Sequence, residues 1–94
     1  MSLEYTARNR ATIQGWLRTQ LAESLVTDPA QIDVREPFAS YGLSSVAAIS
    51  LTADLEDWLQ IRLEPTLAWD YPTIELLARY LSEELEYALD GEQA

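Results

Sequence analysis

The chain contains neither cysteine nor histidine among its 94 residues. The lack of cysteine excludes a disulfide framework and a thiolate nucleophile, and the lack of histidine excludes Cys/His zinc sites and Ser-His-Asp triads. An enzyme would have to work with carboxylates, tyrosine and arginine alone. Carboxylate pairs can perform acid–base chemistry, but the acidic residues here fall on predicted solvent-facing positions. A small carboxylate enzyme is therefore the least favoured function, and no metal site is predicted.

Lysine is missing as well. The basic residues, all arginine, number 6 against 16 acidic ones, and the formal net charge is -10. Binding to nucleic acid needs a basic footprint, so this balance argues against it, and the same excess of negative charge argues against anionic membrane surfaces. Such acidity keeps a protein soluble and also speeds encounter with partners that have basic docking patches. The charge by itself favours the first interpretation.

Long apolar runs are also absent. No stretch is long enough to cross a bilayer, and the first residues lack the charged and then apolar pattern of a signal peptide. We therefore expect a cytoplasmic protein, and a monomer. The length fits one domain with a modest core, which we place at residues 11–90, after a polar lead-in at residues 1–10 and before a tail at residues 91–94.

Apolar residues recur at helical spacing along most of the chain. They predict helices at residues 11–26 and 45–60, a short helix at residues 66–70, and a last helix that starts at Thr73 and stops at Gly91. Threonine is a suitable N-cap, and glycine is a common residue just past a helix end. The expected fold is all-α, an irregular four-helix bundle of three longer helices and one short helix.

The connection between the first two helices is unusually long. Asp28 followed by Pro29 suits the start of a short helical turn, and the remainder is expected to be an ordered loop. Phe38 and Tyr41 near its end are predicted to anchor this loop to the core. A structural role is also predicted for each of the three tryptophans, Trp16, Trp58 and Trp69.

A glycine-containing turn, Gly42-Leu43-Ser44-Ser45-Val46, leads directly into the second predicted helix. It places a hydroxyl at the helix N-terminus, where the partial positive charge favours an anion such as a phosphate. Ser44 is suited to cap the helix, which would tie its oxygen to the backbone, whereas Ser45 is expected to point outward. Ser45 is thus better suited than Ser44 to carry a phosphate-linked group.

These residues resemble the attachment motif of acyl carrier protein domains, in which Phe and a few further residues precede Leu-Gly-Leu-Asp-Ser-Leu and a helix. The match places the family serine on Ser45, the family aspartate on Ser44 and the following leucine on Val46. The downstream run Asp70-Tyr71-Pro72-Thr73-Ile74 resembles the segment before the last helix in carrier domains of modular polyketide synthases. The resemblance extends over about residues 13–89.

The resemblance implies a non-catalytic carrier. In this family the serine accepts 4′-phosphopantetheine from coenzyme A, and the thiol of that arm holds acyl intermediates as thioesters. A phosphopantetheinyl transferase would load the arm, and ketosynthase, acyltransferase or acyl-ligase type enzymes would be further partners. The residues implied for the arm are Ser45 as attachment point, with Gly42, Leu43, Ser44 and Val46 around it.

The context of the carrier is open to alternatives. Peptidyl carriers usually show Gly-Gly-His/Asp-Ser-Leu, which this chain lacks, so the resemblance favours a polyketide carrier over a peptidyl or fatty-acid carrier. A second alternative is a plain helical interaction module without a prosthetic group, in which the Ser44-Ser45 pair only caps a helix.

The second predicted helix is apolar on two faces. Ala48, Leu51, Leu55 and Leu59 form one stripe, and a second stripe begins at the attachment motif. In the resembled family this helix is the main partner-docking surface and is flanked by acids. The predicted docking residues are therefore Val46, Ile49, Ala53, Asp54, Glu56 and Asp57. The alternative for Val46 and Ile49 is that they are part of the core.

Overall fold

The computed structural model describes the backbone of residues 9–93 and the side chains of residues 9–85. Over that range the chain forms α-helices and two 3-10 turns, and its β-pairing is an isolated bridge between Pro37 and Thr73. The helices are α1 (Arg10–Leu25), α2 (Ser45–Leu59), the short α3 (Leu67–Asp70) and α4 (Ile74–Gln93). The all-α fold with three longer helices and one short helix is thereby confirmed.

The long helices begin at polar caps. In each case the N-cap side chain accepts a hydrogen bond from a backbone N–H of the first turn, which satisfies a donor that the helix itself leaves free. The caps are Asn9, Ser44 and Thr73. The capping function that the sequence predicts for Ser44 and Thr73 is confirmed.

The last helix does not stop where the sequence predicts. α4 continues through Gly91 to Gln93. A glycine inside a helix costs about 1 kcal/mol relative to alanine, which disfavours the helix at that point without ending it. The prediction of Gly91 as the stop is wrong. The predicted lead-in lies outside the described residues except for its last two residues, which cap and start α1.

The core is built from one face of each helix. α1 and α4 pack along each other, and α2 packs against α3. The first predicted stripe of α2 is buried, and so are the apolar residues that recur at helical spacing along α4, namely Ile74, Leu77, Ala78, Leu81 and Leu85. Leu89, the next position at this spacing, lies beyond the described side chains. The most completely buried large side chains are Ile13, Leu17, Leu21, Leu55, Ile74, Leu77 and Leu81.

Two aromatic stacks support this packing. The rings of Trp16 and Trp58 stack with centroids 4.8 Å apart and join α1 to α2, and the rings of Tyr71 and Tyr80 stack at 4.2 Å. Stacked aromatic pairs contribute about 0.5–1.5 kcal/mol beyond their buried area. The structural role is confirmed for Trp16 and Trp58. It is wrong for Trp69, which is 50% exposed.

The long connection is fixed against the start of α4. The 3-10 turn Pro29–Gln31 begins at Asp28 as predicted, and an ordered loop follows. Phe38 is buried, and its backbone N–H donates to the Pro72 carbonyl oxygen at 2.8 Å. This contact holds the second 3-10 turn, Phe38–Tyr41, in place directly before α2.

Tyr41 anchors the same connection by hydrogen bonds. Its hydroxyl accepts from the Asp33 N–H at 2.8 Å and donates to the Asp33 carbonyl oxygen at 3.0 Å. The ring is half-buried and packs against the core, while the hydroxyl ties two parts of the connection to each other. The anchoring role predicted for Phe38 and Tyr41 is confirmed, and together they fix the position from which α2 begins.

Candidate functional site

Gly42 turns the chain into α2. It ends the second 3-10 turn with φ at 74°, a left-handed conformation, and its N–H donates to the Ala39 carbonyl oxygen at 3.1 Å. Side chains other than glycine adopt this conformation at a cost. Nothing lies within 4 Å of the position that a Cβ would take. The backbone angle, rather than lack of space, therefore makes glycine the suitable residue here.

The two serines that follow differ in what their hydroxyls do. Ser44 is extended, and its Oγ accepts from the Ala47 N–H at 3.1 Å. Ser45 is the first residue of α2 and is exposed. Within the part of the chain that the structure describes, no hydrogen bond involves the Ser45 hydroxyl. Ser45 is therefore open to modification, whereas the oxygen of Ser44 is engaged with the backbone.

The helix end at this site favours negative charge. The first N–H groups of a helix have no intrahelical partner and point outward, and the macrodipole adds a partial positive charge. The first turn of α2 contains no acidic residue. With Ser44 rather than a carboxylate at the cap, no side chain in that turn repels a phosphate attached to Ser45.

A cleft of about 150 Å³ opens beside Ser45. It lies between the second 3-10 turn, the start of α2, and α3. Its lining is largely apolar and includes Phe38, Leu43, Ala48, Trp69 and Pro72, and Ser45 itself also lines it. The sequence analysis did not find this cleft. The sequence held no signal for it, because α3 has only 4 residues and helical periodicity cannot show which of them stays exposed.

The outer stripe of α2 is exposed, as the docking prediction requires. Val46 is 77% exposed and Ile49 is 42% exposed, and Ala53 also faces solvent. The alternative that placed Val46 and Ile49 in the core is wrong. Leu76 on α4, which the sequence analysis did not single out, is a further exposed apolar side chain at 42%.

The predicted acidic residues beside this stripe divide into two kinds. Asp54 and Asp57 are exposed. Glu56 is partly buried, and its Oε2 accepts from the Leu63 N–H at 2.7 Å. This hydrogen bond holds the segment after α2 against the helix, so the Glu56 carboxylate stabilises the fold. The structure therefore brings five of the six predicted docking residues to the surface and gives Glu56 a different role.

A known protein family matches the part of the chain that contains this site. The family described as phosphopantetheine attachment site matches residues 15–81, which include the glycine turn, both serines and α2. The chain belongs to this family of carrier domains.

Relatives of the carrier domain are found among synthases and among discrete carriers. This chain is 31% identical over 81 residues to mellein synthase of Phaeosphaeria nodorum. The alignment covers 81% of this chain and 4% of that protein. The chain thus spans a small fraction of the length of such curated relatives.

Solved structures match over most of their length. A free-standing peptidyl carrier protein from an uncharacterized Acinetobacter baumannii secondary metabolic pathway is 46% identical, with a TM-score of 0.78, and 83% of this chain matches 98% of that one. An acyl carrier protein from Anabaena sp. PCC 7120 with a variant phosphopantetheinylation-site sequence is 44% identical, with a TM-score of 0.75, over 80% of this chain and 85% of that one.

Membership of this family implies a covalently attached 4′-phosphopantetheine, and the residues present suit one. The carrier domain offers an exposed hydroxyl, a helix end that tolerates a phosphodiester, and free space beside it. Among residues 9–93, no helix has the length and hydropathy needed to cross a membrane. The same described part holds no cluster of three or more His, Cys, Asp or Glu residues with metal-binding geometry.

Proposed function

We propose that this domain carries acyl intermediates of polyketide synthesis on a 4′-phosphopantetheine arm attached to Ser45. The observation that carries the proposal is the contrast between the neighbouring serines, with one hydroxyl free at the start of α2 and the other bound to the Ala47 N–H. When attached, the arm supplies a thiol that holds acyl groups as thioesters.

The domain contributes position rather than chemistry to its own loading. In the transfer of the phosphopantetheinyl group, the Ser45 oxygen forms a bond to the phosphorus next to pantetheine, the pyrophosphate P–O bond of coenzyme A breaks, and adenosine 3′,5′-bisphosphate leaves. The proton of the Ser45 hydroxyl goes to a base. The chain has no histidine, and the first turn of α2 has no acidic residue. We therefore expect the transferase to supply the base, while α2 presents the hydroxyl and its positive end favours the incoming phosphate.

Partners would dock on the outer surface of α2 beside the arm. The exposed apolar side chains Val46 and Ile49 are flanked by the exposed carboxylates Asp54 and Asp57. Such a surface fits an enzyme with an apolar contact point and a basic rim, and the net charge of -10 would speed encounter with it. A patch of so few side chains supports a weak complex, and a carrier that serves several enzymes in turn requires weak complexes.

The polyketide context is supported by the synthases among the relatives. Besides mellein synthase, these include a phenolphthiocerol/phthiocerol polyketide synthase subunit of Mycobacterium tuberculosis, 31% identical over 74 residues. One observation favours a second candidate, a peptidyl carrier, because a protein so named is 46% identical over 98% of its length.

Intact-mass spectrometry after incubation with coenzyme A and a broad-specificity phosphopantetheinyl transferase tests the attachment. We expect the mass of one phosphopantetheine to be gained by the wild type and by Ser44→Ala, and not by Ser45→Ala. Circular dichroism of each variant checks that it is folded. A folded wild type that gains no mass would favour the plain interaction module, and a gain that survives in Ser45→Ala would place the arm elsewhere.

Charging of the loaded protein separates the two carrier types. We expect an acyltransferase that delivers malonyl groups to charge the arm faster than an adenylation enzyme that delivers amino acids. The first enzyme is supplied with malonyl-coenzyme A, and the second with amino acids and ATP. Faster aminoacylation would support the peptidyl carrier instead. The serine-to-alanine variant at position 45 serves as the uncharged control in both reactions.

A further inference from the structure

We propose that the cleft beside Ser45 receives the first part of the phosphopantetheine arm, the branched segment with two methyl groups next to the phosphate, and that Trp69 is the surface on which this segment packs. The inference rests on the proposed attachment at Ser45. It adds a positioning residue, because an arm held at its base would leave its thiol end on a defined side of the domain.

The position of Trp69 in the fold is the first argument. α3 is a single turn, and Leu67 and Ala68 are 4% and 7% exposed, so they account for its packing against the core. Trp69 remains 50% exposed and lines the cleft. An indole offers a large apolar surface with little conformational freedom. Here that surface faces a cavity rather than the core.

The composition of the cleft is the second argument. Its floor is made of side chains that the core already buries, among them Phe38 at 5% and Ala48 at 7%. Ser44 and Ser45, which are exposed, also line the cleft. Buried apolar side chains beside the exposed Ser45 match a group that is charged where it is attached and apolar immediately beyond.

The size of the cleft selects the occupant. Its volume is about 150 Å³, and an apolar cavity of about 150 Å³ accepts a molecule of the size of benzene. That is enough for the branched segment of the arm but not for a long acyl chain. The acyl group would therefore stay outside, where partner enzymes can reach it.

Covalent attachment makes a weak contact sufficient. A group tethered at the rim of a site has a local concentration that is roughly millimolar for a short flexible linker. The segment does not have to bind tightly in order to occupy the cleft for much of the time, and it can leave when a partner extracts the arm. A contact of this kind would bias the arm without locking it.

Nuclear magnetic resonance of the domain before and after loading tests the inference. The three tryptophans give separate indole N–H signals, and Trp69→Phe identifies the one from Trp69. We expect loading to shift this signal and to leave those of the stacked pair Trp16 and Trp58 in place. The arm's two methyl groups should shift upfield under the indole ring current relative to free phosphopantetheine.

The matched variants are Trp69→Ala and Leu76→Ala. Both truncate a partly exposed apolar side chain, at 50% and 42% exposure, but Leu76 does not line the cleft. In Trp69→Ala the methyl signals should return to their positions in the free arm, while in Leu76→Ala they should keep the wild-type shift. Equal methyl positions in the wild type and Trp69→Ala would overturn the proposal.

Two further outcomes would also overturn it and would identify another occupant. If the Trp69 signal moves only after an acyl group is added, the acyl group and not the arm fills the cleft. If it moves only when a partner enzyme is added, the cleft belongs to the docking surface. Mass spectrometry of each sample keeps these outcomes separate from a failure of loading, which would refute the attachment at Ser45 instead.

Discussion

The two faces of α2 carry similar side chains but have different surroundings. On the inner face Leu51, Leu55 and Leu59 are 8%, 0% and 3% exposed, whereas on the outer face Val46 is 77% and Ile49 is 42% exposed. A helix at the surface of a small bundle needs only one buried stripe. The inner stripe accounts for the packing of α2, so the apolar character of the outer stripe is available for contact with another protein.

The largest effect that this comparison predicts is on stability. Leu55→Ala should lower the free energy of unfolding by about 2–5 kcal/mol, because it leaves a cavity in the core. Val46→Ala removes two methyl groups from solvent-exposed positions and should change it by less than about 0.5 kcal/mol. Urea titration monitored by circular dichroism measures both values. Comparable losses in the two variants would mean that the outer stripe also packs within the domain.

The outer stripe should matter for docking instead. Replacing Ile49 with serine should lower kcat/KM for loading by the transferase about tenfold, the equivalent of roughly 1.4 kcal/mol, if Ile49 is one of the few side chains that dominate the contact. Thr19→Ala, an exposed position on α1, serves as the control and should load at the wild-type rate. Equal kcat/KM values for the two variants would remove Ile49 from the docking surface.

The serine pair gives a smaller effect, which is on stability. Ser44→Ala loses the cap bond to the Ala47 N–H and should cost about 1 kcal/mol of stability, within a usual range of about 0.5–2 kcal/mol. Ser45→Ala should cost less than about 0.5 kcal/mol, since it removes an exposed hydroxyl. Thermal and urea unfolding of the two unmodified variants compares them. An equal loss in both would show that Ser45 also stabilises the helix start.

Helical periodicity was enough to predict most of the fold. The predicted span 11–26 differs by one residue at each end from α1 (Arg10–Leu25), and the span 45–60 differs by one residue at its end from α2 (Ser45–Leu59). Local chemistry also predicted the cap at Ser44 and the exposure of its neighbour, because capping depends on residues close in sequence. The proposal of Ser45 as the attachment point could therefore be made from a run of a few residues.

The features that the sequence did not reveal depend on contacts between distant residues. Glu56 looks like any exposed acid on a helix, and only the approach of the Leu63 N–H shows that it is engaged. Trp69 reads as a core aromatic, but the single turn of α3 buries the two residues before it instead. No periodicity is defined over so short a helix, so its exposed side could not be assigned in advance.

Tyr80, a side chain of intermediate burial, gives the smallest expected effect on stability. Burial raises the pKa of Tyr80 above its ordinary value of 10.0, and the negative charge of Glu84 raises it further. The unfolded chain then releases the phenol proton at lower pH than the folded chain, so stability should be constant below pH 10.0 with respect to this group and fall as the pH rises through the folded pKa. The chain has no lysine, histidine or cysteine whose titration would overlap with that of Tyr80. Urea unfolding at neutral and alkaline pH should show a smaller alkaline loss of stability in Tyr80→Phe than in the wild type. An equal loss in both proteins would show that Tyr80 is not its cause.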